Sequence, residues 1–162
     1  MTGALAIREA ILPDDEPYFR RFIDGLQDFE FPMEPNRRRD ATVAADYLAV
    51  LMDGVATKDG KIFVLADEAG TPVGWAVGMI EQDDVFVSDD WRTYGLIAEL
   101  YIDPAARGQR GGTRLIAACE AHFRARGVTL SALGVLWGND NARGLYGSLG
   151  YAPTSLRMRR RL

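Results

Sequence analysis

The sequence predicts a mixed α/β domain of the α+β type, a mostly antiparallel central sheet flanked by helices, in the order β-α-α-β-β-β-α-β-α-β. Three observations carry that expectation. Residues 61–80 read as two strands around a turn, Ile62-Phe63-Val64-Leu65 and then Val73 to Ile80, joined by Asp67-Glu68-Ala69-Gly70-Thr71-Pro72. Two amphipathic helical segments precede that hairpin. A strand, a glycine-rich turn and a helix follow one another from Glu99 to Phe123.

In chain order, Ala4 to Ala10 alternates around Leu5 and Ile7 and reads as the first strand. Pro13-Asp14-Asp15 starts a helix that carries Tyr18, Phe19, Phe22, Ile23 and Leu26. The stretch Phe29 to Asn36 contains Pro32 and Pro35 and reads as a loop. Its Phe29, Phe31 and Met33 suggest that it covers something. A second helix starts at Asp40 or Thr42, with Val43, Tyr47, Leu48, Leu51 and Met52 on one face, and ends near Asp53-Gly54. In the hairpin, Gly74 and Gly78 suggest close passage of other backbone. Glu81 to Asp90 is an acidic connection that includes Asp83 and Asp84. Leu96 to Ile102 is the central strand, which Asp103-Pro104 ends because proline has no N–H for a ladder. Helix spacing resumes at Gly112-Thr113 through Leu115, Ile116, Cys119 and Phe123. Thr129 to Val135 is a further strand, Asn139 to Leu149 the last helix, and Ser155 to Leu162 a closing strand.

Composition sets outer bounds. The chain has 162 residues, 48% hydrophobic and 26% charged, and residues 1–162 are expected to form a single domain. No run approaches the ~20 apolar residues of a membrane span, and no basic region precedes an apolar run at the start. A cytoplasmic, non-membrane protein is therefore expected. The net charge of −4 argues against general nucleic-acid binding. One cysteine, Cys119, precludes an internal disulfide and a cysteine-cluster metal site, so no metal is expected. Cys119 falls on an apolar helix face and reads as a core thiol; His122, more than two turns into the same helix, reads as a surface or packing residue and not a catalytic one.

The turn between strand and helix, Arg107-Gly108-Gln109-Arg110-Gly111-Gly112, has the chemistry of an anion site. First-turn amides lack intrahelical acceptors, the helix dipole favours negative charge, and glycines allow close approach. It matches neither G-x-x-x-x-G-K-[ST] nor G-x-G-x-x-G. It resembles the R-x-x-G-x-G/A pyrophosphate loop of the GNAT superfamily of acetyl-CoA-dependent N-acetyltransferases. It departs from that pattern at Arg110, where the family usually has glycine. The segment Asn139 to Tyr151 is similar to the same superfamily's N-x-x-A-x-x-L-Y-x-x-L-G-F/Y, through Asn139, Ala142, Leu145, Tyr146, Leu149, Gly150 and Tyr151. A capped amphipathic helix explains that spacing alone; its conjunction with the loop carries the resemblance. The element order extends it over nearly the whole chain.

The resemblance implies a fold, a co-substrate and a set of roles. Acetyl-CoA would lie along Leu100, Tyr101 and Ile102 like an added strand. Its pyrophosphate would rest on Arg107, Gly108, Gln109, Arg110, Gly111, Gly112 and Thr113. Asn139 would bond the cofactor arm. Tyr146 would be the general acid for the departing thiolate, and Glu99 a candidate base, directly or through water. The acceptor, a small-molecule or peptide amine, would meet Phe29, Phe31 and Met33 and the region of Asp83 and Asp84. Acidic residues there suit a cationic acceptor, and the aromatics suit an apolar part. A non-catalytic acyl-CoA-binding module and a protein lysine or N-terminal acetyltransferase are the alternatives. An exposed terminal strand would permit a homodimer.

Overall fold

The structure, a computed structural model, describes residues 4–162. Five strands form one sheet in the order β1 (Ala6–Glu9), β2 (Lys61–Ala66), β3 (Pro72–Gln82), β4 (Thr93–Ile102) and β5 (Ser131–Leu133). The first four pair antiparallel and β5 pairs parallel to β4. Helices α1 (Glu16–Glu30) and α2 (Val43–Thr57) precede β2. A four-residue helix, α3 (Asp89–Arg92), leads into β4. Helix α4 (Gly111–Ala125) follows β4, and α5 (Asp140–Ser148) follows β5.

The sheet is covered on both faces, so its central strands are apolar on both sides. Ile62 to Ala66 is buried without alternation. On one face α1 inserts Phe19, Phe22 and Ile23, and α2 inserts Ala44, Leu48 and Leu51, around Val64, Trp75, Val77 and Tyr101. Phe19 stacks on Trp75 with ring centroids 4.7 Å apart. On the other face α4 inserts Leu115, Ile116, Cys119 and Phe123 against Phe63, Leu65, Ala76 and Ile97. Cys119 is therefore a core thiol, and burial pushes its pKa up to about 12. His122 is also internal, with Nε2 2.7 Å from the Asp59 carbonyl. Gly74 lies where a Cβ would stand 2.8 Å from the Tyr101 carbonyl oxygen, the expected backbone approach. At Gly78 the neighbour is the Phe123 ring instead.

Several boundaries differ from the sequence reading. Asp15 is the α1 N-cap residue, but its carboxylate makes no capping bond. It accepts from Arg8 at 2.6 and 2.9 Å and from the Ile11 amide at 2.7 Å, tying β1 to the start of α1. The Arg8 guanidinium holds its pKa below the usual carboxylate range. Phe29 and Glu30 belong to the last turn of α1 and not to the following loop, and α2 runs past Gly54 to Thr57. Strand β3 continues through Glu81 to Gln82, which shortens the acidic connection. Strand β5 ends at Leu133 and not at Val135.

The closing strand expected over residues 155–162 is absent. That segment has no regular structure and is exposed. Its Leu156 and Met158 alternate with arginines, which is a strand pattern, but a strand needs a paired edge. The three-residue β5 supplies little of one, and Arg159 instead reaches Glu34, 3.2 Å away. The terminal strand invoked for a homodimer is thus missing among the described residues.

Candidate active site

Two features of β4 shape the site. The register against β3 slips between Val77 and Gly78, so that Glu99 faces Val77 while Ile97 faces Gly78. Ala98 is the extra residue of a β-bulge. As a result Ala98 and Glu99 fall in succession on the α1/α2 face that Tyr101 shares, while Ile97 packs with the α4 core. The second feature is an open edge. Strand β5 pairs only with Gly95, Leu96 and Ile97. The Asp103 amide donates to Val73, so by strand alternation Glu99 and Tyr101 also turn their backbone groups toward β3. Leu100 and Ile102 turn theirs the other way, into the gap beyond Leu133. The Ile102 carbonyl accepts from Arg107 Nε at 2.9 Å.

The turn after β4 opens onto the same gap. Gly108 has φ +81° and Arg110 φ +59°, and Arg110 is the residue before the first turn of α4. Within the described residues, the amides of Gly108, Gln109, Arg110, Gly111, Gly112 and Thr113 donate to no acceptor; the ladder starts with Arg114 donating to Arg110 at 3.1 Å. Gly111 and Gly112 are buried, and added Cβ atoms would meet Leu65 at 2.6 Å and Leu145 at 3.3 Å respectively. A side chain at Gly111 would therefore displace the buried Leu65 side chain. A run of unspent amides at a helix N-terminus suits an anion. Arginine at a left-handed position costs about 1 kcal/mol relative to glycine. Arg110→Gly should therefore raise the melting temperature by about 2–4 °C for a domain of this size. A lower melting temperature would mean that the Arg110 side chain holds the turn.

Glu99 is nine-tenths buried. Its Oε1 accepts from the Tyr47 hydroxyl of α2 at 2.5 Å, and its Oε2 has no partner among the described residues. Burial pushes its pKa up to about 7, and the Tyr47 bond and Arg37 oppose that rise while Glu30 adds to it. The Tyr47 pKa is raised by burial and by the Glu99 charge. Around this pair lie Gln27 and Glu30 of α1 and Arg37 of the α1–α2 loop. Arg37 Nη2 sits 2.8 Å from Glu30 and 3.0 Å from Glu34. Gln27 Oε1 and Arg37 Nε are buried without partners among the described residues. Such atoms cost about 1–3 kcal/mol each unless something satisfies them, and their grouping marks a place where a polar ligand would be welcome.

Helix α5 brings Tyr146 to the same region. Its pKa is raised by burial and then by the charges of Glu30 and Glu99, and its hydroxyl makes no hydrogen bond among the described residues. Asn139 accepts from the Ala142 amide at 3.1 Å, an ordinary N-cap. The other expected residues divide. Arg107 lies over the rings of Phe29 (5.5 Å) and Tyr101 (5.9 Å), so Phe29 is gathered to the turn. Phe31 lies under Arg39 at 4.8 Å. Met33 packs against Gly138, beside Asn139, so the α1–α2 loop does reach across the gap. Asp83 and Asp84 are exposed beyond Gln82, which pairs with Thr93 at the opposite end of β4 from Ile102. They are not brought together with Glu99. Tyr47, Gln27, Glu30 and Arg37 escaped the sequence reading. Tyr47 occupied an apolar helix face there, and only its distant partner distinguishes it from a packing tyrosine.

A cavity of about 390 Å³ is lined by Gln27, Glu34, Arg37, Asp46, Tyr47 and Arg159, among others. A second, of about 420 Å³, is lined by Tyr47, Val50, Leu51, Met79, Ala98 and Gly134, among others. Both flank Tyr47.

Comparison with known proteins bears on the fold and the family. No curated protein matches the sequence. A point mutant of the BH1408 protein from Bacillus halodurans shares the fold with TM-score 0.80 at 22% identity, covering 97% of this chain and 99% of that one. The aminoglycoside N-acetyltransferase AAC(6')-Iy, solved with a bisubstrate analogue of coenzyme A, shares it with TM-score 0.70 at 18% identity, over 99% of each chain. Glucosamine-6-phosphate N-acetyltransferase from Arabidopsis thaliana gives TM-score 0.69 at 17% identity, over 98% of each chain. The model of the acetyltransferase (GNAT) family matches residues 17–151, which span α1, the whole of β2 to β5 and α5, and on that match the chain belongs to the GNAT family of acetyltransferases.

Proposed function

We propose that this chain transfers an acetyl group from acetyl-CoA to the primary amine of a small-molecule or peptide acceptor, by direct attack of the amine on the thioester. The observation that carries the reading is the meeting of two unsatisfied surfaces at one gap. One is the anion-seeking run of amides from Gly108 to Thr113. The other is the edge of β4 at Leu100 and Ile102, which no strand pairs among the described residues. A ligand with phosphates at one end and an amide-bearing arm at the other satisfies both, and coenzyme A is such a ligand.

The chain's own groups then divide the work. Bound acetyl-CoA supplies an activated acyl group. The Leu100 N–H, turned into the gap, is available to polarise a carbonyl. Glu99 accepts a proton, because a pKa of about 7 leaves much of it ionised at neutral pH while making it a stronger base than an ordinary carboxylate. An alkylammonium with pKa near ~10.4 requires that help. Tyr146, with a phenol otherwise unbonded, is available to donate a proton to the leaving sulfur.

Tyr146→Phe tests that last role. The hydroxyl has no partner to lose, so stability should hardly change. A general acid predicts kcat lower by about 100-fold, with acetyl-CoA affinity unchanged. Full turnover would remove Tyr146 from the chemistry. The reading as a whole is tested by thiol release from acetyl-CoA with a panel of amines: a polyamine, an aminoglycoside, arylalkylamines and a lysine-containing peptide. Acetylated product, identified by mass, supports it. Binding of acetyl-CoA with no acetyl transfer to any member would indicate a non-catalytic module.

A further inference from the structure

Glu99 lines neither of the cavities beside it, whereas Tyr47 lines both. A molecule in either cavity meets the phenol before it can meet the carboxylate. The Tyr47 hydroxyl spends its only proton on Glu99 Oε1, 2.5 Å away, which leaves its oxygen free to accept. The two cavities differ in chemistry. In the 390 Å³ cavity the charges are already paired: Arg37 with Glu34, Arg38 with Asp46, and Arg159 with Glu34. The 420 Å³ cavity is walled mostly by Val50, Leu51, Met79, Leu96, Ile97 and Ala98. Its one charged residue, Lys58, is paired with Glu81 at 2.5 Å. The cavity also runs along the bulge at Ala98, beside Glu99.

Resting on the amine-acetylating reading above, we propose that Tyr47 is the group that touches the acceptor nitrogen and relays its proton to Glu99, for an acceptor whose apolar body fills the Met79–Gly134 cavity. The step balances within the site. An N–H bond of the ammonium breaks and its proton passes to the Tyr47 oxygen. The Tyr47 O–H bond breaks and that proton passes to Glu99 Oε1. The nitrogen keeps its electron pair and becomes the nucleophile, the tyrosine is restored, and Glu99 is left as a neutral carboxylic acid. The charged and titratable groups that face this pair are Glu30 on α1, Arg37 in the following loop and Tyr146 on α5; Glu34, Arg38 before α2, Asp46 and Lys58 within and just after it, and Arg159 of the closing segment line the cavities beside Tyr47.

The test uses acetyl-CoA and phenethylamine, an amine on an apolar body, with the whole chain. Wild-type enzyme should acetylate phenethylamine at least ten times more efficiently, in kcat/KM, than spermidine. Tyr47→Phe should lower the plateau kcat by about 100-fold, as for loss of a proton-transfer group, with acetyl-CoA affinity unchanged. A proton inventory of the wild-type enzyme in mixed H2O and D2O should bow downward, as two protons moving together require; this holds even if Tyr47→Phe folds poorly. A merely positioning Tyr47 would leave the plateau intact and move the rising limb of the pH profile upward, and that result overturns the relay. A straight proton inventory overturns it as well. Acetylation of spermidine or a peptide without phenethylamine overturns the apolar-acceptor assignment and leaves the amine-acetylating reading standing. Failure to bind acetyl-CoA, or to acetylate any amine, overturns both.

Discussion

Glu99→Gln is expected to lower kcat by about 100-fold or more, with acetyl-CoA affinity and fold retained. Glutamine keeps the shape of the side chain and can still accept from the Tyr47 hydroxyl, so packing between α2 and β4 should survive. It cannot take a proton from an ammonium. The wild-type kcat should fall as pH drops through about 7, because protonation then removes the acceptor. That limb should vanish in Glu99→Gln. The same shift has a consequence for stability. The carboxyl is easier to keep protonated in the folded state than at its ordinary value of 4.5. Its contribution to stability is therefore full below that value and is lost as pH rises through about 7. The gain in stability of Glu99→Gln over wild type should accordingly grow between acidic and mildly alkaline pH. A mutant with full kcat and an unaltered pH profile would transfer the role of base to another group.

Gly112→Asp should abolish detectable acetyl-CoA binding. Its Cβ would stand 3.3 Å from Leu145, a contact that a small shift of the leucine relieves. The carboxylate would then lie against the amides that await a phosphate. Two like charges ~4 Å apart in a partly buried setting repel by roughly 4 kcal/mol, about a thousandfold in affinity. Gly112→Asn has nearly the same volume and no charge. It should lose much less, which separates repulsion from crowding. Calorimetry with equal affinity in wild type and Gly112→Asp would contradict the assignment of these amides to phosphate.

The sequence carried the helices well, because each buries one stripe against a sheet: Phe19, Phe22 and Ile23, then Leu48 and Leu51, then Leu115, Cys119 and Phe123. The hairpin and the anion turn were legible for the same local reasons. What was hidden depends on partners far along the chain. Residues Leu96 to Ile102 are apolar on both faces apart from Glu99, so nothing in them announces a bulge at Ala98. Thr129 to Val135 continues as a strand by pattern, yet pairing stops at Leu133 and the gap that results is the site. Tyr47 and Glu99 meet across 52 residues. Arg110 could be flagged as a glycine position but not assigned its φ of +59° from sequence. The closing segment had the alternation of a strand and lacked only an edge, which alternation does not report.

The central claim is that one ligand occupies both the N-terminus of α4 and the open edge of β4. Amide hydrogen exchange with and without acetyl-CoA tests it most directly. Among the described residues the amides of Gly108 to Thr113 have no acceptor of their own, and those of Leu100 and Ile102 face the gap. Acetyl-CoA should slow exchange in both segments together and leave Asp83 to Ser88, at the other end of the sheet, unchanged. Protection at neither segment, with acetyl-CoA demonstrably bound, would contradict the account.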